Sequence, residues 1–191
     1  MAPRSAEKFS EMREVTKQKI MDVALELFAY EGYFQTSIST IAKKAGISKG
    51  LMYNYFESKE SLLRDIAIEG LNEIIESFDP NKDGILTKEE FIYFIRKSAE
   101  LVKEQLTFWK LYFSLMAQPQ VLMVLGDGFM SSFDSYFKSL AKYFHNQGIE
   151  DGYSEVRFFV AMLDGITLHY IIDPENFPFD KAIEKIISIY E

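Results

Sequence analysis

The stretch Thr36–Phe56 limits what this chain can fold into more than any other. Ile38, Ile41, Ala42 and Ala45 recur at i, i+3, i+4 and i+7, which predicts one apolar face of a short helix. Thr36 or Ser37 supplies its N-cap. Gly46 falls where the chain must reverse, because glycine accepts positive φ without a Cβ clash. Ser48 then caps a second helix that carries Lys49, Gly50, Tyr53, Asn54 and Tyr55. A helix, a glycine turn and a helix can seat the second helix in a DNA major groove. The lysine and tyrosine side chains suit phosphate, and Asn54 suits an adenine edge.

Two short helices need a brace. The sequence predicts one from about Thr16 to Tyr30, with Ile20, Val23, Ala24, Leu27 and Phe28 as its buried stripe and Gly32 as its stop. Residues 1–14 read either as a frayed tail or as an extension of this helix, with Arg4, Lys8 and Arg13 free to meet phosphates or solvent. Ser58 caps a fourth helix of about Lys59 to Phe78.

The run from Ile20 to Leu63 resembles the DNA-binding domain of the tetracycline-repressor (TetR) family. The resemblance rests on Ala24-Leu25-Glu26-Leu27-Phe28, Glu31-Gly32-Tyr33, Thr36-Ser37-Ile38, Ile41-Ala42, Ala45-Gly46-Ile47-Ser48-Lys49-Gly50, Tyr53-Asn54-Tyr55-Phe56 and Ser58-Lys59-Glu60. It implies an all-α chain with a helix-turn-helix head over residues 1–58 and a helical effector-binding and dimerisation body over 59–191. It also implies phosphate contacts from Tyr53, Tyr55 and Lys59. Thr36 and Ser48 complete the expected DNA-contacting set. Lys49, Gly50, Leu51 and Asn54 are best placed for base edges, and Met52 and Phe56 for the core. The fourth helix would join head to body.

A formal net charge of −8 looks wrong for a DNA binder, but it is unevenly divided. Residues 1–64 hold 10 Lys/Arg against 8 Asp/Glu, and residues 65–191 hold 11 against 21. The positive end therefore coincides with the motif. The acidic remainder either orients the molecule on a duplex or simply keeps it soluble.

Asp79-Pro80-Asn81-Lys82-Asp83-Gly84-Ile85-Leu86-Thr87-Lys88-Glu89-Glu90 fits the EF-hand loop pattern. Asp79, Asn81 and Asp83 offer hard oxygens, Ile85 a carbonyl, Thr87 a hydroxyl and Glu90 a two-toothed carboxylate, with Gly84 at the sharp turn. The segment reads either as a Ca²⁺ site or as a linker ending in a Thr-capped helix. No second loop of this kind accompanies it.

From Thr87 to Met116 the bulky residues predict one long helix or two in succession, broken by Pro119. A short apolar piece, 121–125, ends at Gly126-Asp127-Gly128, and a further helix covers about Phe129 to His145. These helices are dense in Phe, Tyr and Met. That density predicts either ordinary core or a cavity for a small apolar or aromatic effector, with Trp109, Phe113, Met116 and Phe133 as candidate lining. The last two helices, about Ser154–Ile172 and Asp180–Tyr190, are predicted to pair with their copies in a homodimer, as the resemblance implies. Two heads on one axis would match a palindromic operator.

Other classes fit poorly. With no cysteine, disulfides and Cys-based zinc sites are excluded. The two histidines, His145 and His169, are far apart, and no glycine-rich phosphate loop is present, so catalysis is not expected. No required cofactor is expected. No apolar run is long enough to span a bilayer, and Met1–Ser5 lacks a secretion-signal core, so a cytoplasmic site of action is expected.

Overall fold

The computed structural model describes the backbone of residues 3–191 and their side chains apart from 3–7, 119–120, 122, 124, 126–133 and 135. Among the described residues every regular element is helical: α1 (Pro3–Glu31), α2 (Ile38–Ala45), α3 (Lys49–Met52), α4 (Lys59–Phe78), α5 (Lys88–Glu104), α6 (Leu106–Met116), α7 (Pro119–Asn146), α8 (Gly152–Ile172) and α9 (Phe179–Tyr190).

Local chemistry sets most of the ends. Ser37 accepts from the Thr40 N–H and starts α2, while Gly46 closes it in the left-handed conformation at φ 74°. Ser48 starts α3 by accepting from the Leu51 N–H. Ser58 and Ser61 cap α4 reciprocally, and Thr87 and Glu90 do the same for α5.

Two expectations change. The first helix begins at Pro3, so residues 3–14 extend α1 rather than hang free. Residues 119–146 form one continuous helix, not a short piece and a second helix. Pro119 occupies the first turn, where its missing N–H costs nothing, so it begins the helix instead of breaking it. Gly126 and Gly128 then each weaken the interior by only about 1 kcal/mol. Buried Val121, Leu125 and Leu140 anchor the helix on either side of them.

Head and body share one hydrophobic core. In the head, Ile20, Phe28, Ile41 and Met52 are fully buried. The cluster continues through Leu62, Leu63 and Ile66 of α4 into Phe91, Phe144 and Phe159 of the body. Helix α6 packs on α1 and α7, so it touches the head directly. None of the described helices is long and apolar enough to cross a membrane.

Candidate nucleic-acid interface and body cavity

The head presents a short ridge. Ser48, Lys49, Gly50, Leu51, Tyr53 and Asn54 are exposed, while Met52 and Phe56 are buried beneath them, at 0% and 3% exposure. The ridge is thus pinned from below and open above, as a groove-reading helix must be. Tyr55 is half-buried against the core.

Sequence reasoning missed the residues that hold the ridge from the side. Arg13 of α1 donates through Nη2 to the Asn54 carbonyl at 3.0 Å. Its guanidinium carbon lies 5.5 Å from the Tyr55 ring centroid. One turn on, Lys17 lies 5.8 Å from the Phe56 ring centroid and pairs with Asp65 of α4 at 3.3 Å. The signal available was the i, i+4 spacing of two cations on a helix, visible only if α1 extends beyond Thr16. Lys8 of the same helix is exposed, and the Arg4 side chain lies outside the described residues.

Thr36 and Lys59 stand elsewhere than expected. Thr36 is buried, and its hydroxyl donates to the Gly32 carbonyl at 2.9 Å. It pins the α1–α2 corner, so its side chain does not reach the surface. The Lys59 ammonium donates to the Tyr33 and Thr36 carbonyls at 2.8 and 3.0 Å and lies 4.2 Å from the Tyr33 ring centroid. Burial holds its ammonium below the ordinary lysine value. Two of its three donors are thus committed to the same corner, leaving one for a phosphate.

In the body, α4–α9 line a partly open cavity of about 140 Å³. Trp109 and Tyr112 of α6, Tyr136 and Phe137 of α7, Ser98 of α5 and Asp164 of α8 contribute to its wall. Of the three described residues expected to line a pocket, Trp109 stands in the wall of this cavity. Phe113 packs on the core one turn along α6, its ring centroid 6.4 Å from that of Trp109, outside the cavity wall. Met116 lies two turns beyond Trp109, 43% exposed, beside a separate gap of about 20 Å³. The Phe133 side chain lies outside the described residues.

The cavity is not uniformly apolar. Ser98 Oγ, Trp109 Nε1 and the Tyr136 hydroxyl are buried without a hydrogen-bond partner among the described residues. Asp164 forms no ion pair or hydrogen bond among them either, and burial pushes its carboxyl up to about 6.

The loop after α4 keeps its oxygens to itself. Asp79 accepts from the Gly84 N–H at 2.9 Å, and Asp83 accepts from the Ile85 N–H at 2.8 Å. Asn81 accepts from the Asp83 N–H and donates its amide to Glu90 Oε1, both at 2.9 Å. Glu90 Oε2 accepts from the Thr87 N–H and hydroxyl at 2.9 and 2.8 Å. Among the described residues no three His, Cys, Asp or Glu side chains are grouped to hold a metal. Gly84 does take the positive φ, 76°, that the pattern asked of it, yet the geometry is that of a turn feeding a capped helix.

A pinned, exposed helix behind a glycine turn is the arrangement of a helix-turn-helix head, here mounted on an acidic helical body. Residues 20–66 match the family described as bacterial regulatory proteins, tetR family, so the match falls on the head and the start of α4. The chain is 35% identical over 85 residues to the fatty acid metabolism regulator protein of Bacillus subtilis, covering 44% of each chain. It is 30% identical over 106 residues to the biofilm operon icaADBC negative transcriptional regulator IcaR of Staphylococcus epidermidis, covering 56% of each. The match therefore spans only about half the length of these relatives. The fold extends further. The fatty acid degradation regulator FadR of Bacillus halodurans superposes with a TM-score of 0.71 over 91% of this chain and 93% of its own, at 17% identity. FadR of Bacillus subtilis, in complex with stearoyl-CoA, does so at 0.69 over 90% and 96%, at 21% identity. Identities this low establish the fold alone.

Proposed function

We propose that this chain is a repressor that binds a palindromic operator as a homodimer and releases it when a small molecule enters the body. The exposed ridge 48–54, pinned by Met52 and Phe56, carries this reading. Lys49 and Tyr53 take phosphates, while Asn54 and the close backbone at Gly50 read base edges. The head ends near residue 58, where α4 begins, and the body follows from 59. Such a protein acts in the cytoplasm, where operator DNA is. Calcium has no part in this reading, because the oxygens of the 79–90 loop are engaged with their own turn.

A stripe on α8 supports the dimer. Phe158, Ala161, Leu168 and Ile172 are exposed, and a Cβ at Gly165 would meet nothing within 4 Å. The five residues recur at helical spacing, so they form one small-and-apolar stripe that a second copy would cover.

Helix α6 supplies the coupling. Trp109 faces the cavity, while its neighbour Phe108 lies against Gly70 of α4. Lys110 lies 5.1 Å from the Tyr30 ring centroid of α1. A ligand that displaces Trp109 therefore moves a helix already in contact with both struts of the head. Ligand and DNA affinities must then oppose each other by the same factor.

Fluorescence anisotropy with duplex from the gene's own upstream region tests the reading. Binding should weaken steeply with salt, because phosphate contacts release counterions. Affinity indifferent to salt, or equal for scrambled duplex, would end it.

A further inference from the structure

Among the described residues, three side chains that line the body cavity, Ser98, Trp109 and Tyr136, carry a buried polar atom without a partner. The stripe of α8 that faces the cavity runs Val160, Leu163, Asp164, Thr167, so a carboxyl occupies a position whose helical neighbours are mostly apolar. No Lys, Arg or His is among the described residues lining the cavity. An anionic ligand would meet Asp164 and find no counter-charge. A cationic one would find both a carboxylate and the ring faces of Trp109, Tyr136 and Phe137, which attract cations. Volume narrows the choice further. A dry cavity of about 150 Å³ holds a single benzene ring, whereas drug-sized ligands use upwards of ~300 Å³. Here about 140 Å³ lies between the walls, room for one ring and not for a whole acyl chain. Trp109 Nε1 can only donate, and its missing partner calls for an acceptor on the ligand.

Resting on the repressor reading above, we infer that the effector is a compact one-ring benzylic amine, bound as its ammonium on Asp164, with an oxygen on the ring to accept from Trp109. The acidic body, with 21 Asp/Glu against 11 Lys/Arg over residues 65–191, favours approach of a cation. Burial without a partner has raised the Asp164 carboxyl, and a bound ammonium would return it to the ionised form.

Trp109 is the only tryptophan in the chain, so its fluorescence reports occupancy directly. The full-length protein would be titrated with benzylamine, benzyl alcohol and benzoate, which share a ring and differ in charge, then with 4-hydroxybenzylamine and stearoyl-CoA. The expected order is 4-hydroxybenzylamine tightest, then benzylamine, then benzyl alcohol, with benzoate and stearoyl-CoA producing no saturable change. Asp164→Asn should weaken both amines about tenfold, one charge-assisted contact's worth, and leave benzyl alcohol unchanged. Melting curves of Asp164→Asn check that it folds. Benzoate or stearoyl-CoA binding as tightly as benzylamine, amine affinity untouched by Asp164→Asn, or no probe binding at all would each overturn the inference. Operator binding by the unliganded protein is measured alongside. If it is intact while the amines fail, the inference alone falls; if operator binding is absent, the repressor reading falls with it.

Discussion

Gly70 of α4 lies against the ring of Phe108 of α6 so closely that a Cβ added at Gly70 would stand 2.1 Å from Cε2. Phe108 is itself buried, at 4% exposure, so its ring has little room to retreat. Ordinarily glycine to alanine inside a helix gains up to about 1 kcal/mol. Here overpacking should reverse the sign. Gly70→Ala is expected to lose about 1–3 kcal/mol by urea unfolding. Adding Phe108→Leu to Gly70→Ala should recover part of that loss, a coupling read from the double-mutant cycle. Additive losses would mean the two residues do not share this contact.

Tyr53 and Lys59 should separate where the resemblance treats them alike. Tyr53 is half exposed on the ridge, so Tyr53→Ala should weaken operator binding and leave the melting temperature unchanged. Lys59→Ala removes the donor to the Tyr33 and Thr36 carbonyls and should cost about 1–3 kcal/mol of stability as well as a phosphate contact. Lys49→Ala is expected to leave stability alone and to lower the salt slope by about one. A melting temperature unmoved by Lys59→Ala would mean that its carbonyl bonds do not hold the α1–α2 corner.

These contrasts mark what the sequence could and could not disclose. Caps at Ser37, Ser48, Ser58 and Thr87 act over three residues, so they were legible one window at a time. The inward turn of Thr36 was not, because it depends on the Gly32 carbonyl being presented at the corner. The continuity of α7 was hidden because Pro119 carries two opposite meanings, starter and breaker, and only packing around Val121 and Leu140 decides between them. The cavity wall draws Ser98, Tyr136 and Asp164 from three helices, which no local pattern links. One trace was there to be read: Asp164 sits in phase with Val160, Leu163 and Thr167, where the helical period calls for a buried residue.

The 79–90 loop offers a second contrast. If Glu90 serves the cap of α5, Glu90→Ala should lower stability by about 1 kcal/mol. Glu90→Gln should be nearly neutral, since an amide oxygen can still accept from the Thr87 N–H. Calorimetry with millimolar Ca²⁺ should show no binding heat. Saturable heat that Glu90→Gln abolishes would restore the metal reading and demand that the loop open.

Charge placed in the α8 stripe tests the dimer. Phe158→Glu with Leu168→Glu puts like charges face to face across a two-fold contact, where burial makes repulsion costly. Both positions are exposed in the single chain, so the fold itself should survive. Light scattering should report a dimer for the natural chain and a monomer for the double variant, with operator affinity falling in parallel. A variant that stays dimeric would place the interface elsewhere.

Asp164 should leave a signature in stability against pH even without ligand. Its carboxyl is raised from 3.8 to about 6 by burial, so the folded state holds the proton more tightly than the unfolded state. The stability this confers is complete below pH about 4 and is lost as pH rises through about 6. Above that, the folded protein carries a poorly solvated charge opposite Tyr112, whose own phenol is pushed up by burial and then by Asp164. Asp164→Asn has no proton to lose, so it should be more stable than the natural chain at pH 7.5, by on the order of 2 kcal/mol. The difference should vanish near pH 4, where both side chains are neutral. Melting curves across that range decide it: a gap independent of pH would show that Asp164 is well solvated in the cavity wall.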